Sequence, residues 1–84
     1  MSESGYTYVL SAQAITVFAT LNSKEQRALL DFFRNLAAHP SRQADLHVTR
    51  DLREQHLLEH GRFLVTYWPD HAVKEVRITE LAWS

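Results

Sequence analysis

The sequence predicts an α+β domain in which a helical hairpin packs on one face of a small antiparallel sheet, in the order β-α-α-β-β-β. Three observations carry that prediction. Apolar residues recur at helical period between Ser11 and Ala38. Alternation at period two takes over after Leu52. Gly61 and Pro69 then punctuate the second half at strand-length intervals.

The elements follow in order. Tyr6 to Leu10 alternates Tyr6, Tyr8 and Leu10 against Thr7 and Val9, a strand rich in β-formers. Ser11 can cap a short helix with Ile15, Phe18 and Leu21 on one side, and Asn22 breaks it. Ser23-Lys24-Glu25-Gln26 has the form of a capping box, in which the Ser23 hydroxyl and the Gln26 amide each satisfy a free backbone N–H. The helix it opens carries Leu29, Leu30, Phe33, Leu36 and Ala37 as one apolar stripe, and His39-Pro40 ends it. The polar segment from Ser41 to Asp51 reads as a long connection. Gly61 separates a strand over Arg53–Glu59 from one over Arg62–Trp68. Pro69 to Ala72 reads as a turn and Val73–Leu81 as the last strand. With Asp70-His71 as a two-residue loop, Trp68 opposes Val73, Thr66 opposes Glu75 and Leu64 opposes Arg77. Val65 then meets Val76 and Phe63 meets Ile78 on the apolar face, as a sheet covered on one side requires.

Composition limits the function classes. A chain of 84 residues, 45% hydrophobic and 23% charged, suits one globular domain spanning residues 1–84. With no cysteine, disulfides and thiolate metal sites are excluded. The opening MSESGYTYVL has no positively charged n-region and no long apolar stretch, and no apolar run reaches the ~18 residues of a membrane span. A soluble cytoplasmic protein without membrane contact is expected. Net charge is −1, and the four arginines between Arg42 and Arg62 are matched by Asp45, Asp51, Glu54 and Glu59. That balance argues against non-specific binding of nucleic acid, which works through a basic excess.

His56-Leu57-Leu58-Glu59-His60 matches the H-x-x-E-H pattern of one class of zinc proteases, whose two histidines must sit a turn apart on a helix. In a strand they would lie ~13 Å apart, so neither a metal nor a cofactor is expected. Trp68 and Trp83 suit a core edge or a partner interface better than a base-stacking platform, and Phe33 on the helical stripe is a third candidate contact for a partner.

The order of elements resembles the RelE/ParE superfamily, the plasmid-stabilisation-type toxins of type II toxin–antitoxin modules. Gly61 to Trp68 is similar to the family's glycine followed by a strand ending in Val-x-Tyr, here Val65-Thr66-Tyr67. Asp70 and Val73 to Ile78 look like its closing hairpin, and Leu36-Ala37-Ala38-His39-Pro40 looks like the end of its second helix. The resemblance covers nearly the whole chain. It implies a toxin, or toxin homologue, neutralised by a cognate antitoxin in a hetero-oligomer. Three alternatives stay open: a ribosome-dependent mRNA endoribonuclease, a ParE-like inhibitor of DNA gyrase, or a non-toxic interaction domain of the same fold, with a homodimer as a further assembly.

Ribonucleases of this family use lysines and arginines on the open sheet face, often with a late tyrosine or histidine. Aligned on Tyr67, this sequence has Leu64 where an arginine commonly stands and no lysine in the strand before Gly61. Trp83 stands near the usual place of a basic residue, and no tyrosine follows it. The resemblance therefore implies an incomplete catalytic set. The candidates are Arg62 and Arg77, diagonal neighbours in the register above, with Arg53 and His56 from the adjacent strand. The competing reading pairs Arg77 with Glu75 or Glu59 and leaves Arg62 to solvent.

Overall fold

A computed structural model of the chain describes residues 5–40, 46–50 and 53–83. Strand β1 (Thr7–Leu10) leads into helices α1 (Ala12–Ala19) and α2 (Ser23–Ala38). Strands β2 (Leu46–Arg50), β3 (Arg53–His60), β4 (Phe63–Asp70) and β5 (Glu75–Trp83) follow. The sheet order is β1-β5-β4-β3-β2, antiparallel throughout except that β1 runs parallel to β5. The expected α+β class holds, with a helical hairpin on one face. The segment expected as a plain connection contains the extra strand β2. Its Leu-His-Val-Thr-Arg alternation is short and polar, as suits a sheet edge, and pairing with β3 makes it a strand.

The core lies between the hairpin and the sheet. Leu29, Phe33, Leu36, Val65, Tyr67, Val76, Ile78 and Leu81 are almost wholly buried there. Burying large aliphatic or aromatic side chains contributes roughly 1.5–3 kcal/mol each, so this cluster is the principal source of the fold's stability. Tyr8 of β1 packs on Phe33 with ring centroids 5.6 Å apart, and the Phe32 ring lies 6.2 Å from that of Phe33. Among the described residues no helix is long and apolar enough to cross a membrane.

Several local expectations change. Ser11 does cap α1, accepting from the Ala14 amide, but the helix is rotated relative to the expected stripe. Ala14 is buried and Ile15 is 54% exposed. The Ser11 amide donates to the Ile78 carbonyl, and that contact with β5 sets the rotation; a small residue at 14 lets the helix sit close. Asn22, not Ser23, caps α2: its side chain accepts from the Glu25 amide at 2.8 Å. Gln26 turns away from the cap and donates to the Phe18 carbonyl at the end of α1, tying the two helices together.

The closing hairpin is shifted by four residues from the expected register. Asp70 pairs with Glu75, Trp68 with Arg77, Tyr67 with Ile78, Val65 with Leu81 and Leu64 with Ala82. Residues 71–74 form the turn, and Asp70 starts it by accepting from the Ala72 amide. Lys74 closes it at a φ of 58°. Pro69 is accommodated in β4 because the β3 ladder has already ended at His56–Tyr67. A shift of four keeps Glu75 to Ile78 and their β4 partners on their faces, so the apolar alternation there cannot reveal it. Beyond Tyr67 the pairing slips by one more residue, which makes Thr79 a bulge. At the β3–β4 hairpin Gly61 has a φ of 61°, the left-handed geometry that a two-residue loop requires.

Candidate functional site on the open sheet face

The face of the sheet away from the helices presents Leu57 and Glu59 from β3, Leu64, Thr66, Trp68 and Asp70 from β4, and Glu75, Arg77, Glu80 and Ala82 from β5. This follows from strand alternation against the buried set. At one end the Asp70–Glu75 and Trp68–Arg77 pairs form a compact cluster. The Arg77 guanidinium donates to Asp70 Oδ2 at 3.2 Å, lies 3.0 Å from Glu75 Oε1, and sits 5.8 Å from the centre of the Trp68 ring. Two carboxylates thus engage its Nε and Nη2, beside the Trp68 ring. An incoming phosphate would meet a cation whose charge is already balanced by two acids.

In the middle of the face the bulge turns Thr79 toward β3. Its hydroxyl donates to Gln55 Oε1 at 2.7 Å and lies 3.2 Å from the Thr66 carbonyl. Gln55 and Thr66 are both buried. This network satisfies its members internally and holds the bulge in place.

The sequence candidates are dispersed. Arg62 lies six residues from the Trp68–Arg77 pair along β4, about 20 Å at ~3.3 Å per residue, so it is not a neighbour of Arg77. It turns toward the helices instead. Its Nε donates to Glu25 Oε2 at 2.9 Å, and the guanidinium stacks 5.3 Å from Phe63 and 5.9 Å from Trp83. The cause is the corrected register, which moves Arg77 toward the far end of the hairpin. His56 pairs with Tyr67 on the helix-side face, its ring edge-on at 5.2 Å, and so is separated from Arg77 by the sheet itself. Arg53 opens β3, and its side chain is outside the described residues.

Phe33 is wholly buried and has no surface to offer a partner; its contacts with Tyr8 and Phe32 belong to the core. Trp68 is half-buried under Arg77. Trp83, 49% exposed at the end of β5, is the most accessible of the three partner candidates. His60, the second histidine of the H-x-x-E-H pattern, stacks on Phe32 at 4.1 Å. β3 is a strand, so His56 and His60 do not form the one-turn pair that zinc needs.

Chemically, the described part of the open face holds one arginine committed to two acids. The described imidazoles lie elsewhere: His56 and His60 face the helices, His39 caps α2, and the Nδ1 of His71 in the turn lies 2.7 Å from the Tyr6 hydroxyl. Of this cluster the competing sequence reading found the Arg77–Glu75 pair, but it missed Asp70 and Trp68 as neighbours of Arg77 because it took Asp70 into a two-residue loop. The available signal was Asp70 itself, a residue type that initiates longer turns through its own side chain.

An α+β fold with this strand order and an open sheet face is the fold of the RelE toxins. The chain superimposes on a chain of the toxin–antitoxin complex RelBE2 from Mycobacterium tuberculosis with a TM-score of 0.79 at 20% identity, covering 95% of this chain and 99% of that one. The archaeal RelE–RelB complex from Pyrococcus horikoshii gives 0.75 at 17% identity over 94% of each chain. The isolated E. coli RelE toxin gives 0.73 at 11% identity, over 94% of this chain and 84% of that one. No protein-family model and no curated relative matches the sequence.

Proposed function

We propose that this chain is the toxin-type component of a type II toxin–antitoxin pair, bound by a cognate antitoxin in the cytoplasm, and that it lacks the full RelE-type ribonuclease residue set. The observation that carries the first part is the match along 94–95% of the chain to structures of which two are RelE–RelB-type complexes. The second part rests on the open face. Arg77 is engaged by Asp70 and Glu75, Leu64 stands where the family commonly has an arginine, and Arg62 and His56 turn to the other side. General acid–base cleavage of RNA needs a titrating group beside a free cation, and the described face offers neither together.

The test is co-expression with the product of the adjacent small reading frame, followed by purification on a tag carried by this chain alone. A stable stoichiometric complex is expected, with no cleaved message when this chain is induced by itself. Cleaved message would overturn the second part and restore the ribonuclease reading. A DNA-damage response with filamentation would redirect the target to gyrase. Harmless expression with no bound neighbour would sink the toxin-type reading altogether.

A further inference from the structure

Strand β5 is nine residues long, but β1 pairs with only its first four, Glu75 to Ile78. The chain then leaves the sheet at Ser11 and starts α1, so among the described residues no strand lies beside this edge of β5 beyond Ile78. The first turn of α1 occupies that edge instead. The Ser11 amide donates to the Ile78 carbonyl at 2.9 Å, and the Ser11 hydroxyl donates to the Thr79 carbonyl at 2.8 Å. Gln13 then engages Leu81 on both sides: its Oε1 accepts from the Leu81 amide at 2.9 Å and its Nε2 donates to the Leu81 carbonyl at 3.1 Å. A primary amide offers a donor and an acceptor side by side, and in this pose it reproduces the pair of bonds that a neighbouring strand residue would make.

We propose that Gln13 is a strand mimic that closes the second half of the β5 edge and keeps it from pairing with the same edge of a second copy of this chain. Unpaired edges of apolar strands are templates for strand addition, and proteins block them with local devices. The segment at issue is Ile78-Thr79-Glu80-Leu81-Ala82-Trp83, which ends in a tryptophan 49% exposed. An antiparallel pairing of two copies centred on Leu81 is two-fold symmetric. It sets Leu81 against Leu81, Glu80 against Ala82 and Thr79 against Trp83, so no like charges face each other across the join. The edge is therefore compatible with itself, and the Gln13 amide is what occupies the two central bonding positions.

The experiment measures the mass of the isolated chain by light scattering across a hundredfold concentration range, with circular dichroism to establish folding. The parent is expected to show no association through this edge. Gln13→Leu keeps the helix propensity but removes both bonds, and it is expected to dimerise with rising concentration. Adding Trp83→Lys to that variant is expected to restore the parent's mass, because a charge at the edge opposes pairing. Should Gln13→Leu not fold, Gln13→Glu, which keeps only the acceptor half at neutral pH, carries the same test. A folded variant whose mass tracks the parent's at every concentration would overturn the proposal. So would a dimer that Trp83→Lys leaves unchanged.

Discussion

At the scale of single residues, the chain uses short polar side chains to settle where elements begin. Asn22 and Ser23 are both good capping residues, and only the backbone decides between them. The extended φ and ψ of Asn22 let its side chain reach the Glu25 amide, whereas Ser23 is already helical. Asn22→Ala should therefore cost about 1 kcal/mol, and Ser23→Ala no more than a few tenths. Urea melts of the two variants check this, and a capping box at Ser23 would give the reverse ranking. Phe33 makes the larger claim. Wholly buried among Tyr8, Phe32 and the sheet, it should cost about 3–5 kcal/mol on truncation to alanine. A value near zero in the same melts would return it to the surface as a partner contact.

At the scale of elements, the closing hairpin carries the sharpest distinction. In the observed register Lys74 sits in the turn at a φ of 58°, a conformation that costs a side chain about 1–2 kcal/mol and glycine far less. Lys74→Gly should accordingly raise stability by about 0.5–1 kcal/mol. In the two-residue-loop register Lys74 would lie in a strand, and the same change would lower stability by a similar amount. The sign of the shift in the thermal midpoint decides between them. The Thr79 bulge adds a second check within β5. Thr79→Val leaves the buried Gln55 oxygen without that donor, which should cost about 1–3 kcal/mol.

At the scale of the whole molecule, the two faces of the sheet have different roles. The helix-side face supplies the core, while the open face carries Asp70, Glu75, Glu59 and Glu80 with Arg77 among its described side chains. An RNA-binding sheet would need cations free to meet phosphate. Replacing the two acids that hold Arg77, as Asp70→Asn with Glu75→Gln, releases that cation without altering shape. The double variant should bind a short single-stranded RNA several-fold more tightly than the parent at low salt, with a salt slope steeper by about one unit or less. Equal binding by parent and variant in fluorescence anisotropy would show that the ion pairs do not set the character of this face.

The sequence by itself determined the class of the fold. The apolar stripe of α2 and the switch to period-two alternation are local patterns, and both survive among the described residues of α2, β3 and β4, whereas the turn expected at Pro69 to Ala72 falls at residues 71–74. It also determined that the chain carries no cysteine chemistry and no surplus of positive charge. Tertiary structure decided what depends on the other side of each contact. The register of β4 on β5 was open because a shift of four residues leaves Glu75 to Ile78 on their own faces, and only the Thr79 bulge beyond them turns Leu81 into the core. The rotation of α1 was settled by hydrogen bonds to β5, and the cap of α2 by the extended backbone at Asn22. The strand β2 exists because β3 pairs with it, although its own residues read as a polar connection. The helical hairpin on its sheet was therefore legible from the start. Which cations stand together on the open face was not, because one hairpin register separates Arg62 from Arg77 and hands Arg77 to two carboxylates.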